Sequence, residues 1–295
     1  MFLFESNNCT IDVNGILTFK PGVTRIEKAM FDNKQELVKQ VVINKNIKRI
    51  EDFSFSSFIN LENVIFEEGV TNIGIKAFAM CRNLQHISIP DSVEYIGKSA
   101  FFQCTKLQSI KLPQNLLALS PELFYQCFCL SKVIMPQNLK LINDYAFAYC
   151  QSLKNIELPN SLSKIWFHAF SHSGLESLNI PDSVTTIREN AFSYCNSLKS
   201  VTIGKGMTSL NNYVFKNCNN ITHLRFSKTM KSIGYDTFSR NLDYSNLCVD
   251  CKSQPIKDWA IQKGCKIHSA EINDFLNAIT YKESEKNNGG GDVEL

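Results

Sequence analysis

Hydrophobic positions along this chain repeat on two scales. In Ile87-Ser88-Ile89, Ile110-Lys111-Leu112 and Leu178-Asn179-Ile180, branched apolar residues alternate with polar ones. That period of two marks a strand with one buried face. The longer period is close to 23 residues: a leading apolar position falls at Val38, Leu61, Leu84, Leu107, Leu130, Leu153, Leu175, Leu198 and Ile221. A phenylalanine keeps the same beat at Phe31, Phe55, Phe78, Phe101, Phe124, Phe147, Phe170, Phe192, Phe215 and Phe238. Its steps are 24, then 23, with a single 22 between Phe170 and Phe192. A unit this short cannot enclose a core of its own, so successive units must stack and share one.

Each unit reads as one coil of a solenoid. The strand after the leading apolar residue stops at Pro90, Pro113, Pro136, Pro159 and Pro181, because proline cannot donate to a ladder. A second apolar pair, such as Val93/Ile96, Leu139/Ile142 or Val184/Ile187, predicts a second short parallel strand. Gly74, Gly97 and Gly234 allow a sharp turn, and a one-turn helix is expected to carry Ala100 and Phe101 inward. The fold class is therefore a mainly β repeat solenoid of about eleven coils of 22–24 residues, with short parallel strands and one-turn helices. At one rung per 4.8 Å or so, the rod is about 50 Å long. The solenoid with its terminal caps takes residues 1–268, with a capping helix predicted from Pro255 to Ile261. Residues 269–295 predict a short helix with Ile272, Phe275, Leu276 and Ile279 on one face, then a disordered polar tail.

The order Leu84, Ile87, Ile89, Pro90, Val93, Ile96, Gly97, Ala100, Phe101, Cys104, Leu107, repeated over about residues 14 to 250, resembles the BspA-like leucine-rich repeat family. The resemblance implies protein binding, often as a surface adhesin for host or matrix proteins, without catalysis or a cofactor. It also implies a cell-surface location. The residues themselves do not add to that: Met1 to Glu5 lack the basic region of a secretory signal, which points to a cytoplasmic chain or to export by another route.

Charge narrows the partner class. Lys plus Arg number 31 against 28 Asp plus Glu, and no basic stripe appears, so nucleic acid and anionic membrane are poor partners. Polar residues interrupt every apolar run well before the roughly 18 residues of a membrane span. A small-molecule substrate is not expected either. The Gly289-Gly290-Gly291 run lies in the tail without a flanking strand and helix, and the five histidines fall on different coils. The chain reads as no enzyme and calls for no cofactor.

Six of the eleven cysteines, Cys81, Cys104, Cys127, Cys150, Cys195 and Cys218, share one repeat position, and Ser173 takes it in the short coil. Stacked side chains point the same way, which favours reduced structural thiols, although rungs near 5 Å apart also fall within disulfide range. At the C-terminal end, Cys248, Cys251, Cys265 and His268 have a spacing that can close a zinc site. A cap disulfide or plain burial in the last coil are the other readings, and Cys248 and Cys251 are expected on opposite faces of a strand.

Two surfaces are candidates for a protein partner. One is the outward strand face, with the column Val42, Ile65, Ser88, Lys111, Ile134, Glu157, Asn179, Thr202, Arg225; its positively charged members Lys111 and Arg225 are the candidate contacts. The other is aromatic. Tyr149, His172 and Tyr194 occupy one repeat position in three successive coils, and Trp166, followed by Phe167, stands where other coils have Gly74 or Gly97. Large amphipathic rings are frequent at interface hot spots, yet stacked rings also serve simply to cover coil edges. An adhesin and an intracellular scaffold remain the two forms of this reading, with a zinc-capped module as a third.

Overall fold

A computed structural model describes residues 1–31 and 33–268. The chain winds as a three-sided solenoid. On the first side the strands Ile16–Phe19, Gln40–Ile43, Asn63–Phe66, His86–Ser88, Ser109–Lys111 and Lys132–Ile134 pair in parallel. Pairing is residue for residue, so Val42 faces Ile65 and Lys111 faces both Ser88 and Ile134. The sheet resumes with Ser177–Ile180, Ser200–Ile203, His223–Phe226 and Cys248–Cys251. In the coil between, Asn155 to Leu158 forms no strand, although Ile156 and Leu158 still pack on the core.

The second side carries the expected short strands. Arg25–Ile26, Arg49–Ile50, Asn72–Ile73 and Tyr95–Ile96 form one group, and Ala118–Leu119, Leu141–Ile142, Lys164–Ile165 and Thr186–Ile187 a second. That second group runs unbroken past the coil whose principal strand is missing. The breaks on the two sides therefore fall at different coils, and no cross-section loses both ladders.

The third side differs in detail from the expected one-turn helices. The segments around the column phenylalanines are successive tight turns, in which residues two before and two after each Phe from Phe55 to Phe215 have positive φ. Tyr145 is at 57°, Tyr149 at 64°, His168 at 54°, His172 at 59° and Tyr194 at 60°. Alternating handedness aims alternate peptide groups along the rod axis. Phe147 N–H donates to the Ala169 carbonyl at 2.7 Å and Tyr149 N–H to that of Ser171 at 2.8 Å, one coil on. The intervening Ala148 N–H closes a turn on Tyr145 at 3.1 Å. An α-helix would satisfy these groups within itself and leave nothing for the next coil. Each left-handed non-glycine residue costs about 1 kcal/mol or somewhat more, which the inter-coil hydrogen bonds offset.

The core is one continuous column. Successive Phe rings from Phe31 to Phe238 are fully or almost fully buried, with centroids 5.1–5.7 Å apart and near-parallel planes. Ala100, Ala146, Ala169 and Ala191 pack beside them, small against large. The six column cysteines are buried and free, and each Sγ donates to the carbonyl of the Phe one coil back, at 3.0–3.3 Å. The reduced reading therefore has a geometric reason. The short coil is accommodated at Gly174, where a Cβ would stand 1.9 Å from the Gln151 carbonyl oxygen.

Both ends are closed. At the start, Phe2–Glu5 pairs antiparallel with Cys9–Asp12, which in turn pairs antiparallel with Ile16–Phe19. At the far end the helix Gln254–Lys263 buries Ile256 and Ala260, and Trp259 packs near Phe226, Phe238 and Tyr244. The rod has about ten turns. The expectation of about eleven also counts Cys248–Cys251, a strand that leads into the cap. The helix and tail expected over 269–295 lie outside the described residues.

Candidate functional site

Left-handed turn positions project side chains outward from the third side, and in the middle coils these side chains are aromatic. Tyr149, His172 and Tyr194 stack at 4.4 and 4.5 Å between centroids, within 6° of parallel. A second stack sits four residues earlier in the same coils: Tyr145 lies on His168 at 4.8 Å and 2°. Phe102 and Tyr125 stack at 5.4 Å, and the Tyr125 ring meets Tyr149 edge-on at 5.4 Å. The aromatic track thus extends over five coils, from Phe102 to Tyr194.

This geometry alters what the track can offer a partner. Ring faces are turned toward each other, so the outward contact is by ring edges and the polar tips of Tyr and His. Tyr145 and Tyr194 are exposed, whereas Tyr149, His168 and His172 are half-buried. Burial pushes the pKa of His168 down, against the pull of Asp144, and burial together with the neighbouring His168 pushes that of His172 down. Burial and the nearby Tyr149 raise that of Tyr125. The imidazoles are held toward the neutral form inside the stack.

Trp166 and Phe167 lie beside the track, edge to face at 6.5 Å. Arg188, from the next coil, sets its guanidinium over both rings, at 5.6 and 5.7 Å. The sequence reading missed Phe102, Tyr125, Tyr145, His168 and Arg188. Phe102 and Tyr125 do carry a signal, since they follow the column Phe directly, where other coils have Ala79, Ala148, Ser171 or Ser193. Arg188 carries none, because an exposed Arg after a strand is unremarkable until its neighbour is known.

The strand-face residues are not brought together with this track. Lys111 and Arg225 stand five coils apart on the first side, roughly 24 Å at ladder spacing. Arg225 Nε pairs with Asp250 Oδ2 at 2.8 Å, and His86 Nδ1 lies 2.8 Å from Ser109 Oγ. The possible zinc ligands do not converge. Cys248 faces outward and Cys251 inward on one strand, while Lys266–His268 forms a parallel neighbour to it. Among the described residues, no group of three or more His, Cys, Asp or Glu is gathered to hold a metal ion. Nor is any described helix long and apolar enough to cross a membrane.

The repeat lettering and the coil geometry agree with one family. A BspA type leucine rich repeat region matches in six copies, over residues 24–127, 118–245 and 165–285. The chain belongs to this family. Among solved structures it is similar to the pneumococcal vaccine antigen PcpA, with 21% identity over 79% of this chain and 68% of that one, at a TM-score of 0.54. It is also similar to a leucine-rich repeat protein from Bacteroides ovatus, with 21% identity over 91% of this chain and all (100%) of that one, at 0.51. These likenesses are of fold. No curated protein matches. Leucine-rich repeats of this kind are in general a non-enzymatic, protein-interaction fold.

Proposed function

We propose that this rod recognises a protein partner across its mid-rod turn face, through Tyr149, Trp166, Phe167, His172 and Tyr194. Lys111 and Arg225 on the strand face then tune encounter and salt dependence. The observation that carries the proposal is the concentration of outward aromatic edges on the middle coils. Equivalent positions elsewhere hold Ser57, Met80, Gln103, Gln126 and Asn217, so folding itself does not require rings there. Tyr and Trp combine apolar area with a polar tip, as interface anchors do. The pneumococcal protein of similar fold is a vaccine antigen, which supports a host-facing adhesin as the setting. The second reading, an intracellular scaffold, is favoured by the six thiols engaged as hydrogen-bond donors, since free cysteines suit a reducing compartment.

The test compares retention of proteins from native-cell and host extracts on the parent chain and on a Tyr149→Ser/Tyr194→Ser variant. The expected result is a protein held by the parent and lost by the variant, with the melt unchanged. Loss with a Lys111→Gln/Arg225→Gln variant but not with the Tyr variant moves the site to the sheet. If neither change matters, the mid-rod site falls. Fractionation, with glycan analysis at the Asn-x-Thr acceptor sequences Asn8-Cys9-Thr10 and Asn220-Ile221-Thr222, separates the two settings.

A further inference from the structure

The position just after the second strand of each coil has a recurring duty. Ser120 Oγ donates to the Ile96 carbonyl, Asn143 Nδ2 to that of Leu119 at 2.9 Å, and Asn211 Nδ2 to that of Ile187 at 2.9 Å. Each bond ties one coil to the coil before. Gly74 fills the position where the backbone comes close, since a Cβ there would meet Asp52 N at 2.6 Å. Trp166 and Arg188 hold it in two successive coils and do neither. Trp166 Nε1 makes no hydrogen bond, and Arg188 lies across Trp166 and Phe167. The carbonyls they would otherwise reach are already bonded by backbone, Ile142 by Trp166 N–H and Ile165 by Arg188 N–H, both at 2.9 Å. Two large side chains therefore stand here without a part in the ladder.

Arg188 is exposed, and its guanidinium makes no ion pair with any described residue. The Asp144 carboxylate accepts from the Phe167 N–H at 3.0 Å. Lys164 is exposed one coil back, on a strand in register with Thr186 of the Arg188 coil, and exposed Lys140 stands one coil further back. Neither lysine has an ion pair among the described residues.

We propose that Arg188, its guanidinium within cation–π reach of both Trp166 and Phe167, is the carboxylate-binding anchor of the partner site, and that the partner presents an extended acidic segment along Arg188, Lys164 and Lys140. This rests on the mid-rod docking reading. The two rings stand at 82° to each other and hold the cation in the corner between them, and its N–H fork, which makes no ion pair with a described residue, matches a carboxylate two to two. The rings also restrict the side chain in advance, so less freedom is lost on binding. Rungs lie about 4.8 Å apart and same-side residues of an extended chain about 6.8 Å apart, so acidic side chains two residues apart reach Arg188 and a lysine tip together. The half-buried Leu141 stands beside Lys140, in register with Lys164, and Leu117, 59% exposed, flanks Lys140 one coil back. That mixture suits alternating acidic and apolar side chains better than the uniform charge of a nucleic acid or a sulfated glycan.

The experiment measures fluorescence anisotropy of a labelled peptide of alternating Glu and Val against the full chain, with Gln-Val and Lys-Val peptides and a heparin oligosaccharide as comparisons. The Glu-Val peptide alone is expected to bind, and Arg188→Gln and Arg188→Lys are each expected to weaken it about tenfold. The lysine variant keeps the charge but loses the planar fork, so full binding by Arg188→Lys would overturn the bidentate anchor. Equal binding of the oligosaccharide, or no binding of the Glu-Val peptide by the parent, would overturn the acidic-segment partner. A captured protein that is lost with Tyr149→Ser/Tyr194→Ser but kept with Arg188→Gln would overturn this inference while sparing the docking site. Indifference to both variants would sink both.

Discussion

The Cys127 thiol donates a hydrogen bond at 3.1 Å to the carbonyl oxygen of Phe101, the column phenylalanine one coil back. The same relationship recurs at five further coils and makes the cysteine position a strap between rungs. Native-state thiol titration should therefore label few of the six column cysteines, and titration in denaturant nearly all. Burial pushes the thiol of Cys104 from 9.0 up to about 12, and that of Cys127 is also raised well above 9.0. A thiol raised in the folded state keeps its proton after the unfolded chain has lost it. The thiols' contribution to stability should be level below pH 9 and fall between pH 9 and about 12. Each such thiol steepens the fall by about 1.4 kcal/mol per pH unit. Alkaline melts check this, and a flat profile over that window would contradict the buried neutral thiols.

Phe147 has Phe124 at 5.3 Å on one side and Phe170 at 5.1 Å on the other. Phe147→Ala should cost about 3–5 kcal/mol. Hydrogen exchange should quicken in the adjoining coils as well, because each coil is held chiefly by its neighbours. A melt within a degree or two of the parent would be inconsistent with this placement.

Gly174 is fixed by space rather than by φ. Its missing Cβ would stand 1.9 Å from the Gln151 oxygen, and its N–H donates to the Cys150 carbonyl at 3.1 Å. Gly174→Ala must push two coils apart, at a cost of about 1–3 kcal/mol. Denaturant unfolding of the variant measures this directly, and an unchanged midpoint would refute the close approach.

His172 lies between two tyrosine rings and is held toward the neutral form. Its NMR titration should have its midpoint below 6.5. A depressed imidazole stabilises the fold above its unfolded value, and that contribution is lost as pH falls through the folded one. Tyr149→Ser/Tyr194→Ser should move the midpoint back toward 6.5 by letting water reach the ring. No movement would mean that the stack does not bury it.

The column phenylalanines, both strand sets and the capping helix were legible because each leaves a periodic or punctuating residue. The third side was less so. Its left-handed positions hold Tyr, His, Gln and Lys rather than Gly, so the composition carries no sign of positive φ. Asn155 to Leu158 alternates like any strand, and its failure to pair depends on how neighbouring coils lie across a shortened one. Lys266–His268 resembled part of a ligand spacing because a strand of three residues has almost no period to read. Trp166 was visible as a departure from glycine, whereas the Arg188 laid over it depends on register between coils. The turning of the stacked ring faces toward one another also became visible only in three dimensions.

Site-specific photo-crosslinking tests the mid-rod recognition claim most directly. Tyr194→benzoylphenylalanine places a reactive ring on the outer turn face, and Thr202→benzoylphenylalanine places the same group on the strand face. The account predicts a protein adduct in native-cell or host extract at position 194 and none at 202. An adduct only at 202, or none at either position in any extract, would contradict it.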